Sequence, residues 1–147
     1  MKILVIHGPN VNMIGKRDPA KYGTTTMEEI NRELLRMAGE LDVQVEFFQS
    51  NHEGFIIDFL QRESSRTCDG ALVNPGALFR YSYIFRQALL DLKKPVMEVH
   101  MSDVHASGGD KQVNLLDDVR VGQVTGLKEG SYYEGLKRLV QVIKESR

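Results

Sequence analysis

Cysteine is nearly absent from this chain. Cys68 stands alone, so no internal disulfide can form, and a reducing cytoplasmic setting fits. Its neighbours Thr67 and Asp69 give no sign of an activated thiol, and packing is its expected use. Tryptophan is missing altogether. An excess of either charge is missing too: the formal net charge is −1 and the pI about 6.4. That balance gives no general attraction to nucleic acid or to an anionic membrane. No run approaches the ~20 apolar residues of a membrane span, and no signal-peptide pattern precedes the first strand-like run at Lys2. Repeats, low-complexity tracts and interdomain linkers are also lacking.

What is present is an ordinary globular composition, 41% hydrophobic and 27% charged over 147 residues. A single domain spanning residues 1–147 is expected. A chain this long buries roughly two-thirds of its unfolded surface, so it folds without a disulfide or a metal.

Strand and helix patterns alternate from end to end. Lys2–His7 (KILVIH) is a short run of branched residues stopped by Gly8-Pro9, as a buried parallel strand requires. Thr26 and Glu29 fit a capping box, and Ile30, Leu34, Met37, Ala38 and Leu41 recur at helical spacing. Val43–Phe48 reads as the second strand. Ser50 and Glu53 fit another capping box, with a helix over 55–63. Gly70–Val73 is the third strand, and one helix is expected over about 79–92. Pro95–Val99 and Val119–Val124 read as strands four and five. Tyr132, Leu136, Leu139, Val140 and Ile143 line one face of a closing helix.

Five strands alternating with helices predict a flavodoxin-like, doubly wound five-stranded parallel sheet of order 2-1-3-4-5. Ligands then bind beyond the carboxyl ends of the strands, at the switch point. Chemistry-bearing residues concentrate at three such ends.

After strand one, a long linker runs from Gly8 to Thr25. Loops longer than ~12–15 residues are uncommon and usually functional or disordered. Gly15 and Gly23 bracket a segment able to swing as a lid. Arg17 and Tyr22 lie within it. A free tyrosine titrates near ~10, and a neighbouring guanidinium favours the phenolate. Tyr22 could thus act as a general base, or be an incidental tyrosine on a surface loop. Gly8-Pro9-Asn10 is no phosphate loop, lacking both G-x-G-x-x-G and G-K-[ST].

After strand three comes Asn74-Pro75-Gly76-Ala77. Its asparagine amide could meet a carboxylate or hydroxyl, or the run could simply form a turn. After strand four comes Glu98-Val99-His100-Met101-Ser102-Asp103-Val104-His105. Residues 98 and 100 project to one side of a strand. A carboxylate beside an imidazole favours the imidazolium and fixes the tautomer, which suits a general acid. His100 and His105 could alternatively hold a metal. The usual catalytic zinc site needs three protein ligands, however, and neither H-E-x-x-H nor a cysteine cluster occurs.

Taken jointly, six short segments resemble the type II 3-dehydroquinate dehydratases. They are His7-Gly8-Pro9-Asn10-Val11-Asn12, Gly15-Lys16-Arg17-Asp18-Pro19, Tyr22-Gly23-Thr24-Thr25, Phe48-Gln49-Ser50-Asn51-His52-Glu53-Gly54, Asn74-Pro75-Gly76-Ala77 and the Glu98–His105 run. Their order and spacing extend through almost the whole chain. The resemblance implies a lyase that removes water from 3-dehydroquinate to give 3-dehydroshikimate, in shikimate biosynthesis or quinate catabolism. It implies a small-molecule substrate, no metal, no cofactor and no Schiff base. It implies Tyr22 as tyrosinate base, Arg17 as its activator, and Asn10 holding an ordered water on the enolate. His100 becomes the acid with Glu98 behind it, while Asn74, Met101 and Ser102 meet the substrate carboxylate. A trimer-based dodecamer in the cytoplasm is implied as well.

The chain departs from the family where the ring hydroxyls are recognised. Arg80 replaces the usual histidine three residues beyond the Asn-Pro-Gly-Ala motif. Gln87 replaces an aspartate that reaches a neighbouring subunit's site. Ser107 and Lys111 replace two arginines. Arg and Lys are not equivalent at a forked hydrogen-bond site. Either the losses are compensated locally, or the more positive pocket takes a related hydroxy-keto acid bearing an extra anionic group. A non-catalytic binding or assembly protein of the same fold is the third reading.

Overall fold

A computed structural model describes residues 1–105 and 113–147, with the side chains of Lys21 and Tyr22 outside that description. Among the described residues five strands are present: β1 (Lys2–His7), β2 (Gln44–Gln49), β3 (Gly70–Asn74), β4 (Val96–His100) and β5 (Gly122–Thr125). All neighbours pair in parallel in the order β2-β1-β3-β4-β5, as the alternation predicted. The helices are α1 (Pro19–Tyr22), α2 (Met27–Leu41), α3 (Glu53–Gln61), α4 (Glu63–Arg66), α5 (Leu78–Tyr81), α6 (Tyr83–Leu92) and α7 (Gly130–Glu145).

Two hydrophobic layers enclose the sheet. Ile3, Val5, Leu72, Met97 and Val99 face α2 and α7, which contribute Ile30, Leu34, Tyr132, Leu136, Leu139 and Ile143. Leu4, Ile6, Ala71, Val73 and Val96 face the other way, against Ile56, Phe59, Leu60, Phe85, Leu89 and Leu92. The even and odd positions of each strand thus serve opposite layers. Cys68 is buried in the second layer, where burial raises its thiol pKa, so packing is indeed its use. No helix among the described residues is long and apolar enough to cross a membrane.

Four local readings need correction. The segment after β1 is not bare loop: it holds a 3-10 turn at Val11–Met13 and the short helix α1, opened by Pro19 in the first turn, where its missing N–H costs nothing. Thr26 does cap α2, accepting from the Glu29 N–H at 3.2 Å. Ser50 does not cap α3. It accepts from the His52 N–H (2.9 Å) within a turn, and the Glu53 carboxylate accepts from the Ser82 hydroxyl instead (2.6 Å). The helix expected over 79–92 is broken at Ser82, which leaves helical geometry and caps α6 through the Phe85 N–H (3.2 Å). Finally, β5 starts at Gly122 rather than Val119. Residues 119 and 120 are held in turns by the Leu116 carbonyl (both 3.0 Å) and join no strand.

Gly135 lets α7 sit directly on the sheet. A Cβ there would lie 2.5 Å from Val99 Cγ1 and 2.9 Å from Leu72 Cδ1. Gly135→Ala gains up to ~1 kcal/mol of helix propensity. Overpacking costs about 1–3 kcal/mol, so the clash prevails. Urea unfolding of the variant is expected to give a lower midpoint than the parent, with an unchanged m-value.

Candidate active site

The parallel register sets out the site. His7 on β1 stands opposite Gln49 on β2 and Asn74 on β3, and His100 on β4 stands opposite Thr125 on β5. These residues form the carboxyl rim of the sheet. A cavity of about 390 Å³ opens above it, walled by Asn10, Arg17, Asn74, Phe79, Arg80 and His100, together with the Met101–Asp103 turn. This is the switch-point location that the topology assigns to ligands.

Glu98 lies behind His100 with no solvent exposure. Taking a carboxylate out of water is costly unless its lone pairs are answered. Here they are answered from three directions. His100 Nε2 donates to Oε2. Arg120 Nη1 donates to Oε1 at 2.6 Å. Asn114 Nδ2 lies 3.0 Å from Oε2 and 3.3 Å from Oε1. Burial alone would push the Glu98 pKa up. The hydrogen bond and charge of His100, with Asn114 and Arg120, outweigh it and hold the carboxyl below its ordinary range. Glu98 is therefore ionised at neutral pH.

The segment carrying Asn114 and Arg120 is tied to α5 and α6. Leu115 N–H donates to the Phe79 carbonyl at 2.8 Å, and Arg86 donates to the Leu115 carbonyl at 2.6 Å and to Asp118. Asn114 Oδ1 accepts from the Leu116 N–H at 2.8 Å, which orients its amide toward Glu98. Phe79 packs edge-on against the His100 ring at 4.6 Å, and the Arg80 guanidinium lies over the opposite partner of that pair, 4.4 Å from the Phe79 centroid. Arg80 thus lines the cavity beside an aromatic ring that also packs on His100.

A second polar cluster stands on the other face of the sheet. The His7 ring is buried, with Nε2 2.7 Å from Asn31 Oδ1 and Nδ1 2.8 Å from the Tyr132 hydroxyl. Asn31 Oδ1 can only accept, so Nε2 bears the proton and Tyr132 donates to Nδ1. Asn74 Nδ2 donates to the same hydroxyl at 2.9 Å, and Asn74 Oδ1 accepts from the Gly76 N–H at 3.1 Å. The relay fixes which end of the Asn74 amide is which. Burial pushes the His7 pKa down to about 4, the Asn31 hydrogen bond opposing it only in part. Burial likewise raises the Tyr132 hydroxyl well above its usual range, so it stays protonated.

Asn10 is held at the rim in a left-handed conformation (φ 69°), and its N–H donates to Asn51 Oδ1 at 2.8 Å. The Met101–Val104 turn is fastened by Thr125, whose hydroxyl donates to the Ser102 carbonyl (2.7 Å) and accepts from the Val104 N–H (3.0 Å). His105 turns away from His100, its Nε2 meeting Gln123 Oε1 at 2.9 Å.

The structure thus gathers Asn10, Arg17, Asn74, Arg80, His100, Met101 and Ser102 around one cavity, with Glu98 behind His100. Gln87 is not among them: its amide donates to Asp91 Oδ1 (2.8 Å) on the exposed face of α6. Tyr22 ends α1, five residues after Arg17, and its side chain lies outside the described residues, as do Ser107 and Lys111. The reading of the sequence passed over Asn114 and Arg120, which are remote from every motif. Asn31 was passed over too, while His7 entered only as part of a motif and Tyr132 only as a position on the apolar face of a helix. A titratable His7 at the end of an apolar strand was the one available signal.

A parallel α/β sheet with a polar, charge-paired cavity at its switch point defines a small-molecule enzyme of the doubly wound class. The family model for class II dehydroquinases matches residues 1–140, and the chain belongs to that family. A 3-dehydroquinate dehydratase of Halothermothrix orenii is 42% identical over 144 residues, covering 98% of this chain and 97% of that protein. One from Roseiflexus castenholzii is 44% identical over 140 residues, covering 95% and 88%. The crystal structure of a type II dehydroquinase from Butyrivibrio crossotus superposes with a TM-score of 0.88 at 36% identity, covering 95% of this chain and 97% of that one.

His7 makes stability pH-dependent. It is kept neutral in the folded chain, while the unfolded chain takes up a proton near pH 6.5. The unfolded state therefore binds more protons between pH 6.5 and about 4, and stability falls as pH falls through that window. At 1.36 kcal/mol per pKa unit the loss is about 3 kcal/mol, complete below pH ~4. Urea unfolding across this range is expected to show a shallower pH dependence for His7→Asn than for the parent; equal slopes would assign the effect to another group.

Proposed function

We propose that this chain dehydrates 3-dehydroquinate to 3-dehydroshikimate through an enolate. The observation that carries the reading is the Glu98–His100 pair, opening into a cavity that Asn74, Arg17 and Asn10 also line. A proton beside a ketone is weakly acidic, so elimination needs a strong base, an enolate stabiliser and an acid for the departing hydroxyl. In this reading Tyr22, as tyrosinate, removes the proton, and Arg17 favours that phenolate. The enolate charge is met by an ordered water held at Asn10. As the ketone re-forms, the carbon–oxygen bond to the hydroxyl breaks, and His100 supplies the proton that makes it water. Nε2 of His100 is engaged with Glu98, so Nδ1 is the nitrogen to deliver it. The proton gained by Tyr22 and the one lost by His100 balance, and return to the starting state needs only exchange with solvent.

The substrate carboxylate is assigned to Asn74 and the Met101–Ser102 turn. Tyr132 and Gly76 support this by fixing the Asn74 amide, and Thr125 by fixing the turn. Arg80 takes the place of a ring-hydroxyl contact with Lys111. Its guanidinium also supports a second reading, in which the preferred substrate is a related hydroxy-keto acid with an extra anionic group. A trimer-based dodecamer in the cytoplasm completes the proposal, with Gln87 serving a neighbouring copy. Gln87 has exposed Tyr83 and Ile84 beside it on α6, apolar surface suited to a partner.

Purified protein with 3-dehydroquinate, followed at the enone absorbance of the product, tests the activity. Measurable turnover is expected; none at millimolar substrate overturns it. A positioned acid or base contributes typically ~10²–10⁴-fold. Losses of that order in kcat are expected for Tyr22→Phe and His100→Asn. A Tyr22→Phe enzyme with parental kcat would remove Tyr22 as base.

A further inference from the structure

We propose that Arg120 is a positioning residue for the acid His100, acting through Glu98 to let the imidazolium release its proton. The inference rests on the reading of His100 as acid and adds a second control on it.

The geometry divides the Glu98 carboxylate between two cations. Oε1 meets Arg120 at 2.6 Å and Oε2 meets His100, while Asn114 lies against both oxygens. One oxygen is therefore turned to the imidazole and cannot rotate away without breaking the guanidinium contact. Charge follows the same division. With Arg120 in place, the three side chains sum to +1 when His100 is protonated and to zero when it is not. Without Arg120 they sum to zero and −1, and the buried carboxylate then holds the proton on His100. Arg120 thus removes part of the attraction that would make His100 a reluctant donor.

The other charged groups around His100, among the described residues, come from four elements. Arg80 on α5 lies beyond the Phe79 ring. Arg17 from the segment after β1 and Asp103 from the turn after β4 line the cavity. Asp117 holds Arg120 from outside, 2.7 Å from Nη2. Of the cations, Arg120 is the one paired with Glu98 itself, and it lies away from the cavity wall, so its contribution does not change when substrate enters.

The test reads His100 directly, by its imidazole resonances in a pH titration of the isotopically labelled protein. Arg120→Met is expected to move the midpoint upward by about one pH unit, the ordinary effect of a neighbouring charge. Arg120→Lys is expected to restore most of the parental value. The alkaline limb of kcat against pH should move in the same direction. A folded Arg120→Met protein with an unchanged or lower midpoint overturns the proposal. If Arg120→Met does not fold, Asp117→Asn decides. That side chain is 64% exposed, and its removal strengthens the Arg120 charge, so the midpoint should fall; no change or a rise overturns the proposal. The resonances require no turnover. A chain that fails to dehydrate 3-dehydroquinate but shows these shifts would overturn the proposed reaction and leave the Arg120–Glu98–His100 coupling in place.

Discussion

A carboxylate sealed from solvent sets the terms for this site. Glu98 has no access to water, and an unpaired charge there would cost several kcal/mol. Its three partners come from different parts of the chain: His100 two residues along β4, Asn114 and Arg120 from the segment leading into β5. That segment stays in place because Arg86 on α6 and the Phe79 carbonyl on α5 hold its backbone. The demand of one buried charge thus reaches outward to two helices and a connecting loop. Anything that loosens the Asn114–Arg120 segment loosens the orientation of His100.

Strand alternation separates this cluster from a second one. Val96, Glu98 and His100 share a face, and Val96 belongs to the layer packed on α3, α5 and α6. His7 and Asn74 look the opposite way, toward Tyr132 of α7 and Asn31 of α2. The two clusters differ in charge logic. The Glu98 cluster is ionic and opens to the cavity through His100. The His7 cluster is neutral, because burial disfavours the imidazolium and the Tyr132 phenolate alike. One reaches the cavity through the His100 ring, while the other holds the Asn74 amide still. Together they grip the rim of the sheet from both sides.

Much of the fold was legible because it depends on local pattern. Lys2–His7 is a branched apolar run, Thr26 with Glu29 opens a helix, and the spacing of Tyr132 to Ile143 marks an amphipathic face. Local pattern misled where one side chain had two possible partners. Ser50 and Glu53 have the spacing of a capping box, yet tertiary packing brings Ser82 to Glu53 and leaves Ser50 in a turn. Val119–Val124 alternates like a strand, but the Leu116 carbonyl holds its first residues in turns and frees Arg120 to reach inward.

The sequence by itself determined the strand order, the rim at which the cavity opens, and the Glu98–His100 pair, since two residues of spacing on a strand place both side chains on one face. It also carried the family, because six short motifs in fixed order seldom coincide. Tertiary structure alone decided what stands behind those residues. Arg120 lies 22 positions from Glu98, and Tyr132 lies 125 positions from His7. No local spacing encodes such contacts. They exist because parallel strands bring distant segments side by side, and because buried polar groups accept whichever partner the packing delivers.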